Sequence, residues 1–213
     1  LVFGDTNSTV AAALAAVKLH IPVAHIEAGL RSYNRNMPEE VNRVITDHVS
    51  TKLLCPSQCA VDNLIKEGIT VGVSVIGDVM YEALNDACRT VDANRLIFRE
   101  LGLTPKHYAL ATVHRAENTD NPDRLHEIVQ ALSAIDFPVI FPIHPRTTSR
   151  LNQFGLFEQL SKAKNVQLID PVGYLDMVAL EQQSVVILTD SGGVQKEAYW
   201  LEVPCITLRD ETE

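Results

Sequence analysis

Short apolar segments alternate with helix-forming segments along this chain of 213 residues. The apolar segments carry many of the β-branched residues that strands favour. They predict strands over residues 1–3, 22–26, 52–55, 73–76, 108–113, 139–143, 166–168, 185–188 and 205–208. Alternating strands and helices are typical of parallel sheets that are covered by helices on both faces. The sequence therefore predicts an α/β protein built from doubly wound parallel sheets.

The alternation is interrupted once, where a long charged helical segment, residues 79–101, follows Gly77 and Asp78. This interruption predicts two units, residues 1–77 and 78–213, that meet at a cleft. Residues 1–3 are already strand-like and residues 205–208 close the pattern. We therefore expect the first unit to lack its N-terminal part and the second to lack its C-terminal end.

One segment, residues 187–197, has the character of a phosphate-binding turn. It reads Ile-Leu-Thr-Asp-Ser-Gly-Gly-Val-Gln-Lys-Glu, a strand that enters a helix through a tight turn. The N–H groups of a helix N-terminus attract anions, and Gly192 and Gly193 have no Cβ to block a phosphate. Ser191 can cap the helix, and Glu197 can accept hydrogen bonds from ribose hydroxyls. An ordinary capped strand–helix turn remains the alternative.

Composition and charge narrow the class of partner. The net charge of −9 and the absence of basic runs argue against nucleic acid, and no apolar stretch approaches the roughly 20 residues that span a bilayer. The four cysteines, Cys55, Cys59, Cys88 and Cys205, do not have metal-ligand spacing. Free thiols indicate a reducing compartment, so we expect a cytoplasmic protein with no metal and no cofactor.

Polar side chains follow six of the predicted strands at the point where each strand ends. They are Asp5, Glu27, His114 with Arg115, His144, Asp190 and Arg209. Because ligands bind at the carboxyl ends of parallel strands, these groups are expected to share one site.

Simpler interpretations exist for some of these residues. Asp5 can be the N-cap of the following helix, and Glu39 can be an acidic first-turn residue after Pro38. Glu27 is expected to be buried with a raised pKa, which favours a catalytic role. His114 has a cationic neighbour, Arg115, which favours anion contact over packing in the core.

Taken in order, these motifs resemble those of the non-hydrolysing UDP-N-acetylglucosamine 2-epimerases. They are Gly4-Asp-Thr6, His25-Ile-Glu-Ala-Gly-Leu-Arg31, Met37-Pro-Glu-Glu-Val-Asn-Arg43, His114-Arg-Ala-Glu-Asn118, Pro142-Ile-His-Pro145 and Thr189-Asp-Ser-Gly-Gly-Val-Gln195. The set covers nearly the whole chain. The resemblance implies a GT-B-like pair of Rossmann-type domains, the first of them truncated at its N-terminus, and a homodimer.

The resemblance also implies roles for individual residues. Asp5, Glu27 and Glu39 match the acidic catalytic positions, and His114 matches a histidine that contacts the diphosphate. Arg43, one turn after Glu39, is expected to position that carboxylate or the sugar. Phosphate and ribose would be held by Ser191, Gly192, Gly193 and Glu197, and a second, regulatory UDP-GlcNAc site would include Arg115 and His144.

The expected activity is reversible C2 epimerisation of UDP-GlcNAc to UDP-ManNAc through anti elimination of UDP and its re-addition. Three alternatives remain open: a hydrolysing epimerase that releases N-acetylmannosamine, a GT-B glycosyltransferase, and a non-catalytic nucleotide-sugar sensor.

Overall fold

The computed structural model describes residues 1–91 and 96–210, and these form two compact units. The first unit runs from Leu1 to Glu82, and the second begins at Ala83. The predicted boundary between residues 77 and 78 lies just before this division and stays a prediction.

The first unit contains a four-stranded sheet in the order β1-β2-β3-β4, and every neighbouring pair is parallel. Its strands are β1 (Val2–Phe3), β2 (Ala24–Ile26), β3 (Lys52–Cys55) and β4 (Val73–Val75). The connecting helices are α1 (Asn7–Lys18), α2 (Pro38–Val49) and α3 (Gln58–Lys66), and α4 (Val79–Thr90) follows β4. Each strand lies within one or two residues of its predicted place.

The second unit contains a five-stranded parallel sheet in the order β7-β6-β5-β8-β9. Its strands are β5 (Ala109–Thr112), β6 (Val139–Pro142), β7 (Val166–Ile169), β8 (Val186–Thr189) and β9 (Cys205–Thr207). Its helices are α5 (Leu96–Glu100), α6 (Ala116–Thr119), α7 (Pro122–Ser133), α8 (Pro145–Gln153), α9 (Phe157–Ser161), α10 (Tyr174–Gln183) and α11 (Gly192–Trp200). The chain moves outward from β5 in one direction and then from β8 in the other. The topological switch point, where such sheets bind ligands, is therefore between β5 and β8.

Both faces of the second sheet are buried, as a parallel sheet requires. Ala109 and Ala111 of β5 point into one apolar cluster, and Tyr108 and Leu110 point into the other. Helix α11, which covers one of these faces, begins at a side-chain cap: Ser191 accepts a hydrogen bond from the Val194 N–H. The predicted capping role of Ser191 is confirmed.

The predicted helical segment over residues 79–101 is only partly continuous. The structure describes a helix over Val79–Thr90 and another over Leu96–Glu100, and residues 92–95 lie outside the described part. Within the described ranges, no helix has the length and apolar character needed to cross a membrane.

Gly29 provides a test of close packing in the first unit. It has a φ of +83°, and a Cβ at this position would lie 2.4 Å from the Ala60 carbonyl oxygen. Gly68 has a similar φ of +81° but no atom within 4 Å of its Cβ position. We expect Gly68→Ala to cost about 1 kcal/mol through its backbone conformation alone. Gly29→Ala should cost at least about 2 kcal/mol more, because the backbone must also move. Urea unfolding measures the difference, and equal losses would contradict it.

Candidate active site

Two acidic residues lie at the carboxyl edge of the first sheet. Asp5 follows β1, and Glu27 follows β2. A Cβ on Gly4 would lie 3.5 Å from Oε2 of Glu27, so the Glu27 carboxylate lies over the backbone that leads into Asp5. Glu27 also has a φ of 71°, a conformation that costs a non-glycine residue energy and that is concentrated at functional sites. The fold therefore holds the Glu27 backbone in a strained conformation, with its carboxylate next to Gly4, the residue before Asp5.

Arg43, on α2, brings a cation to the same edge. Its side chain is almost fully buried, its Nη1 lies 3.4 Å from Oδ2 of Asp5, and its Nε lies 3.6 Å from Oε2 of Glu40. Glu40 in turn accepts hydrogen bonds from the backbone N–H groups of Ser32 and Tyr33. Arg43 thus joins the Asp5 carboxylate to the loop before α2. Glu39 is half-buried in the first turn of α2.

Two of the simpler expectations for this edge are wrong. The N-cap of α1 is Thr6, whose hydroxyl accepts from the Thr9 N–H, so Asp5 is not the cap. Glu27 is half-buried rather than buried, because its turn lies at the rim of the sheet and not beneath a helix. Asp5 is thereby free of a capping role, and its side chain is 27% exposed.

A buried network beneath this edge was missed in the sequence. Nδ1 of His25 lies 2.7 Å from Oδ1 of Asp47, and Nε2 lies 2.9 Å from the Gly4 carbonyl oxygen. Asp47 also accepts a hydrogen bond from the Gly29 N–H and pairs with Arg31 at 2.8 Å. Both ring nitrogens of His25 are therefore hydrogen-bonded, one to a side chain and the other to the backbone. His25 therefore fixes the carbonyl group that precedes Asp5.

Asp190 organises the switch point of the second sheet. It is fully buried and follows β8. Its carboxylate accepts hydrogen bonds from the backbone N–H groups of His114 and Arg115, at 3.0 and 2.9 Å, and from the Asn118 side chain at 3.0 Å. The loops after β5 and β8 are thus joined by one carboxylate. The sequence placed Asp190 at a strand end but gave no sign of this role.

Two imidazole rings lie together beside Asp190. The rings of His114 and His144 are 5.7 Å apart, and Nδ1 of His114 is 3.7 Å from Oδ1 of Asp190. Nδ1 of His144 accepts a hydrogen bond from the Arg146 N–H at 3.1 Å. Burial lowers the pKa of His114, and the charge of Arg115 adds to this, although Asp190 opposes it. The lowered pKa therefore favours a neutral His114.

The N-terminus of α11 completes this group in the second unit. Gly192 and Gly193 occupy the first turn after the Ser191 cap, so their N–H groups have no partner within the helix. Glu197 lies further along α11, is only 7% exposed and accepts a hydrogen bond from Tyr174.

The structure thus groups His114, Arg115 and His144 with the Ser191 turn around one switch point. Asp5, Glu27 and Arg43 form a separate group in the first unit. Within the described residues, no cluster of three or more His, Cys, Asp or Glu side chains is suited to a metal ion.

The charge environment of His114 can be tested directly. We expect its imidazole, followed by NMR, to titrate below the ordinary value of 6.5. Arg115→Gln should raise the pKa of His114, because one neighbouring cation is removed. Arg150→Gln is the matched control, since Arg150 pairs with Asp120 on a neighbouring surface and should leave the titration unchanged. An unchanged pKa in Arg115→Gln would show that the charge of Arg115 does not reach the ring.

Comparison with known proteins shows which family the chain resembles. The family model described as UDP-N-acetylglucosamine 2-epimerase matches residues 1–213. A UDP-N-acetylglucosamine 2-epimerase homolog of Methanococcus maripaludis is 54% identical over 100% of this chain and 60% of its own length. A UDP-2,3-diacetamido-2,3-dideoxy-D-glucuronate 2-epimerase of Pseudomonas aeruginosa is 52% identical over 100% of this chain and 59% of its own length.

A solved structure of the Methanocaldococcus jannaschii UDP-GlcNAc 2-epimerase, in complex with UDP-GlcNAc and UDP, is also similar. Its TM-score is 0.88 at 47% identity, over 99% of this chain and 59% of that one. The predicted fold class, a GT-B-like pair of parallel-sheet α/β domains, is confirmed by this likeness and by the two parallel sheets. The chain spans about 60% of the length of these relatives. It belongs to the UDP-N-acetylglucosamine 2-epimerase family.

Proposed function

We propose that the protein catalyses the reversible C2 epimerisation of UDP-GlcNAc to UDP-ManNAc. The observation that carries the proposal is the division of chemistry between the two units. The first unit holds carboxylates at a strained sheet edge, and the second holds histidines, Arg115 and free helix N–H groups at its switch point. Proton transfer needs the first group, and retention of a nucleotide diphosphate needs the second.

The chemistry of the substrate favours elimination. The C2 proton is only weakly acidic, because the acetamido group does not directly stabilise a carbanion. UDP at C1 is a good leaving group, and in the chair form its C1–O bond is axial and antiparallel to the C2–H bond. Removal of the C2 proton with loss of UDP gives 2-acetamidoglucal. Re-addition of UDP, with a proton delivered to the other face of C2, gives UDP-ManNAc.

Asp5, Glu27 and Glu39 are the candidates for the base on one face and the acid on the other. Glu27 is the strongest candidate, since the fold holds its backbone in a strained conformation, with its carboxylate next to Gly4. The guanidinium of Arg43 pairs with the Asp5 carboxylate and holds it at the sheet edge. Which carboxylate is the base and which is the acid stays open.

His114 is assigned to the diphosphate. Its lowered pKa favours the neutral ring, and an anion beside it would favour the protonated form. Binding of the UDP group would thus favour protonation of His114, and the resulting cation would stabilise the leaving group.

Ser191, Gly192, Gly193 and Glu197 would hold phosphate and ribose. Arg115 and His144 would belong to a second UDP-GlcNAc site. A cytoplasmic homodimer without a metal or a cofactor is part of this proposal.

A second substrate is supported by a specific likeness. The Pseudomonas relative is named for a 2,3-diacetamido glucuronate nucleotide and is nearly as similar as the Methanococcus one. Both substrates carry UDP at C1 and a proton at C2, so the same elimination applies to either. The carboxylate at C6 and the acetamido group at C3 distinguish them, and turnover of both compounds should be compared.

The first test is proton NMR of UDP-GlcNAc in D₂O with protein made from the complete gene. We expect the C2 proton signal to disappear as an anomeric signal of UDP-ManNAc appears, because C2–H cleavage exchanges the proton with solvent. Free N-acetylmannosamine with UDP would select the hydrolysing alternative. An unchanged spectrum would contradict epimerisation of this substrate and favour a transferase, a sensor or the diacetamido substrate.

The second test concerns Glu27. Glu27→Gln should lower turnover at least about 100-fold, the contribution typical of a general acid or base. Affinity for UDP should stay within about threefold, since the phosphate and ribose contacts lie in the second unit. Glu158→Gln, on the exposed surface of α9, is the control and should behave like the wild type. Near-normal turnover in Glu27→Gln would remove Glu27 from the mechanism.

A further inference from the structure

A second buried acid lies beside Glu197. Glu181, on α10, is fully buried, and neither of its carboxyl oxygens has a hydrogen-bond donor among the described residues. An ionised carboxylate in that setting would be desolvated without compensation, which costs several kcal/mol or more. The neighbouring polar group is the carboxyl of Glu197, on α11. Two carboxylates cannot hydrogen-bond to each other, but a carboxylic acid and a carboxylate can.

Among the described residues, no cation acts on the carboxyl group of Glu181. The titratable groups that interact electrostatically with Glu181 are Glu197 on α11, Tyr174 on its own helix, Cys88 on α4 and Cys205 on β9. Burial, followed by the charge of Glu197, raises the pKa of Glu181 to about 9. Burial also raises the pKa of Glu197, but hydrogen bonds from Tyr174 and Glu181 act in the opposite direction. Glu197 has the Tyr174 hydroxyl as a donor, whereas neither oxygen of Glu181 has a donor among the described residues, so the proton of the pair belongs on Glu181.

We propose that Glu181 is a positioning residue, which stays protonated at neutral pH and donates its proton in a hydrogen bond to Glu197. Tyr174 and Glu181 then hold the Glu197 carboxylate from two sides, and its remaining lone pairs stay available to the two ribose hydroxyls. This inference rests on the proposed function, since it assumes that Glu197 accepts from ribose. A leucine in place of Glu181 would leave Glu197 without this donor, whereas a glutamine would still donate through its amide.

The test compares the affinities of UDP and 2′,3′-dideoxy-UDP in the complete protein. The wild type should prefer UDP, and Glu197→Gln should reduce that preference. Glu181→Leu should lower the affinity for UDP about tenfold and leave the dideoxy compound unchanged, because only the ribose contact is disturbed. Glu181→Gln should keep the wild-type ratio. A change that acted only through the stability of the fold would weaken both nucleotides together.

The pH dependence gives a second readout. Only the protonated form of Glu181 donates, so the preference for UDP should be present below about pH 9 and lost above it. The ratio should be independent of pH in Glu181→Gln. Ionisation of the uracil ring affects both nucleotides equally and cancels in the ratio. A flat ratio in the wild type would overturn the proposal.

Infrared spectroscopy locates the proton. At pH 7 the carbonyl band of a protonated, buried carboxylic acid should be present in the wild type, kept in Glu197→Gln and lost in Glu181→Gln. A band that survives in Glu181→Gln would overturn the assignment.

Different outcomes would contradict the proposed ribose site and the proposed role of Glu181. If the wild type does not bind UDP, or if Glu197→Gln leaves the ratio unchanged, the ribose site itself is wrong. If both behave as expected but Glu181→Leu matches the wild type, only the role of Glu181 is wrong.

Discussion

In each unit, a buried aspartate carboxylate holds together the backbone that carries the candidate site. Asp47 binds the His25 ring and the Gly29 N–H beneath the first sheet edge, and Asp190 binds the N–H groups of His114 and Arg115 at the second. A carboxylate removed from water must have its oxygens satisfied. Each aspartate therefore requires the surrounding loops to adopt one arrangement, and the exposed groups of the site take their positions from that arrangement.

The buried charged groups of the first unit are paired with one another. Asp47 is hydrogen-bonded to His25 and paired with Arg31, and Arg31 also pairs with Glu67. Such a network is costly to break, because the loss of one member leaves an uncompensated charge. It also holds the carbonyl of Gly4 and supports the strained turns on which Asp5 and Glu27 lie. A rigid edge of this kind suits proton transfer, which depends on precise placement of the carboxylates.

The sequence predicted the fold well because its information about strands and helices is local. Strand ends, the Ser191 cap and the switch-point residues follow from patterns within a few positions. The buried partners did not follow, because Asp47 meets His25 across 22 positions and Asp190 meets His114 across 76. No local pattern distinguishes an exposed acidic residue on a helix from one that lies under a sheet edge. The partial exposure of Glu27 was missed for the same reason, since it depends on the three-dimensional surroundings of the side chain.

The carboxyl pair in the second unit has a consequence for nucleotide recognition. A lysine or arginine beside Glu197 would also make it ionised, but it would compete with the ribose hydroxyls through several donors. A protonated Glu181 offers one donor, and Tyr174 offers another. A carboxylate has about four lone-pair sites, so two would remain for the two hydroxyls of ribose. A buried neutral acid therefore holds the acceptor in place and occupies only one of its lone-pair sites, whereas a lysine or arginine would bring several donors to the same carboxylate.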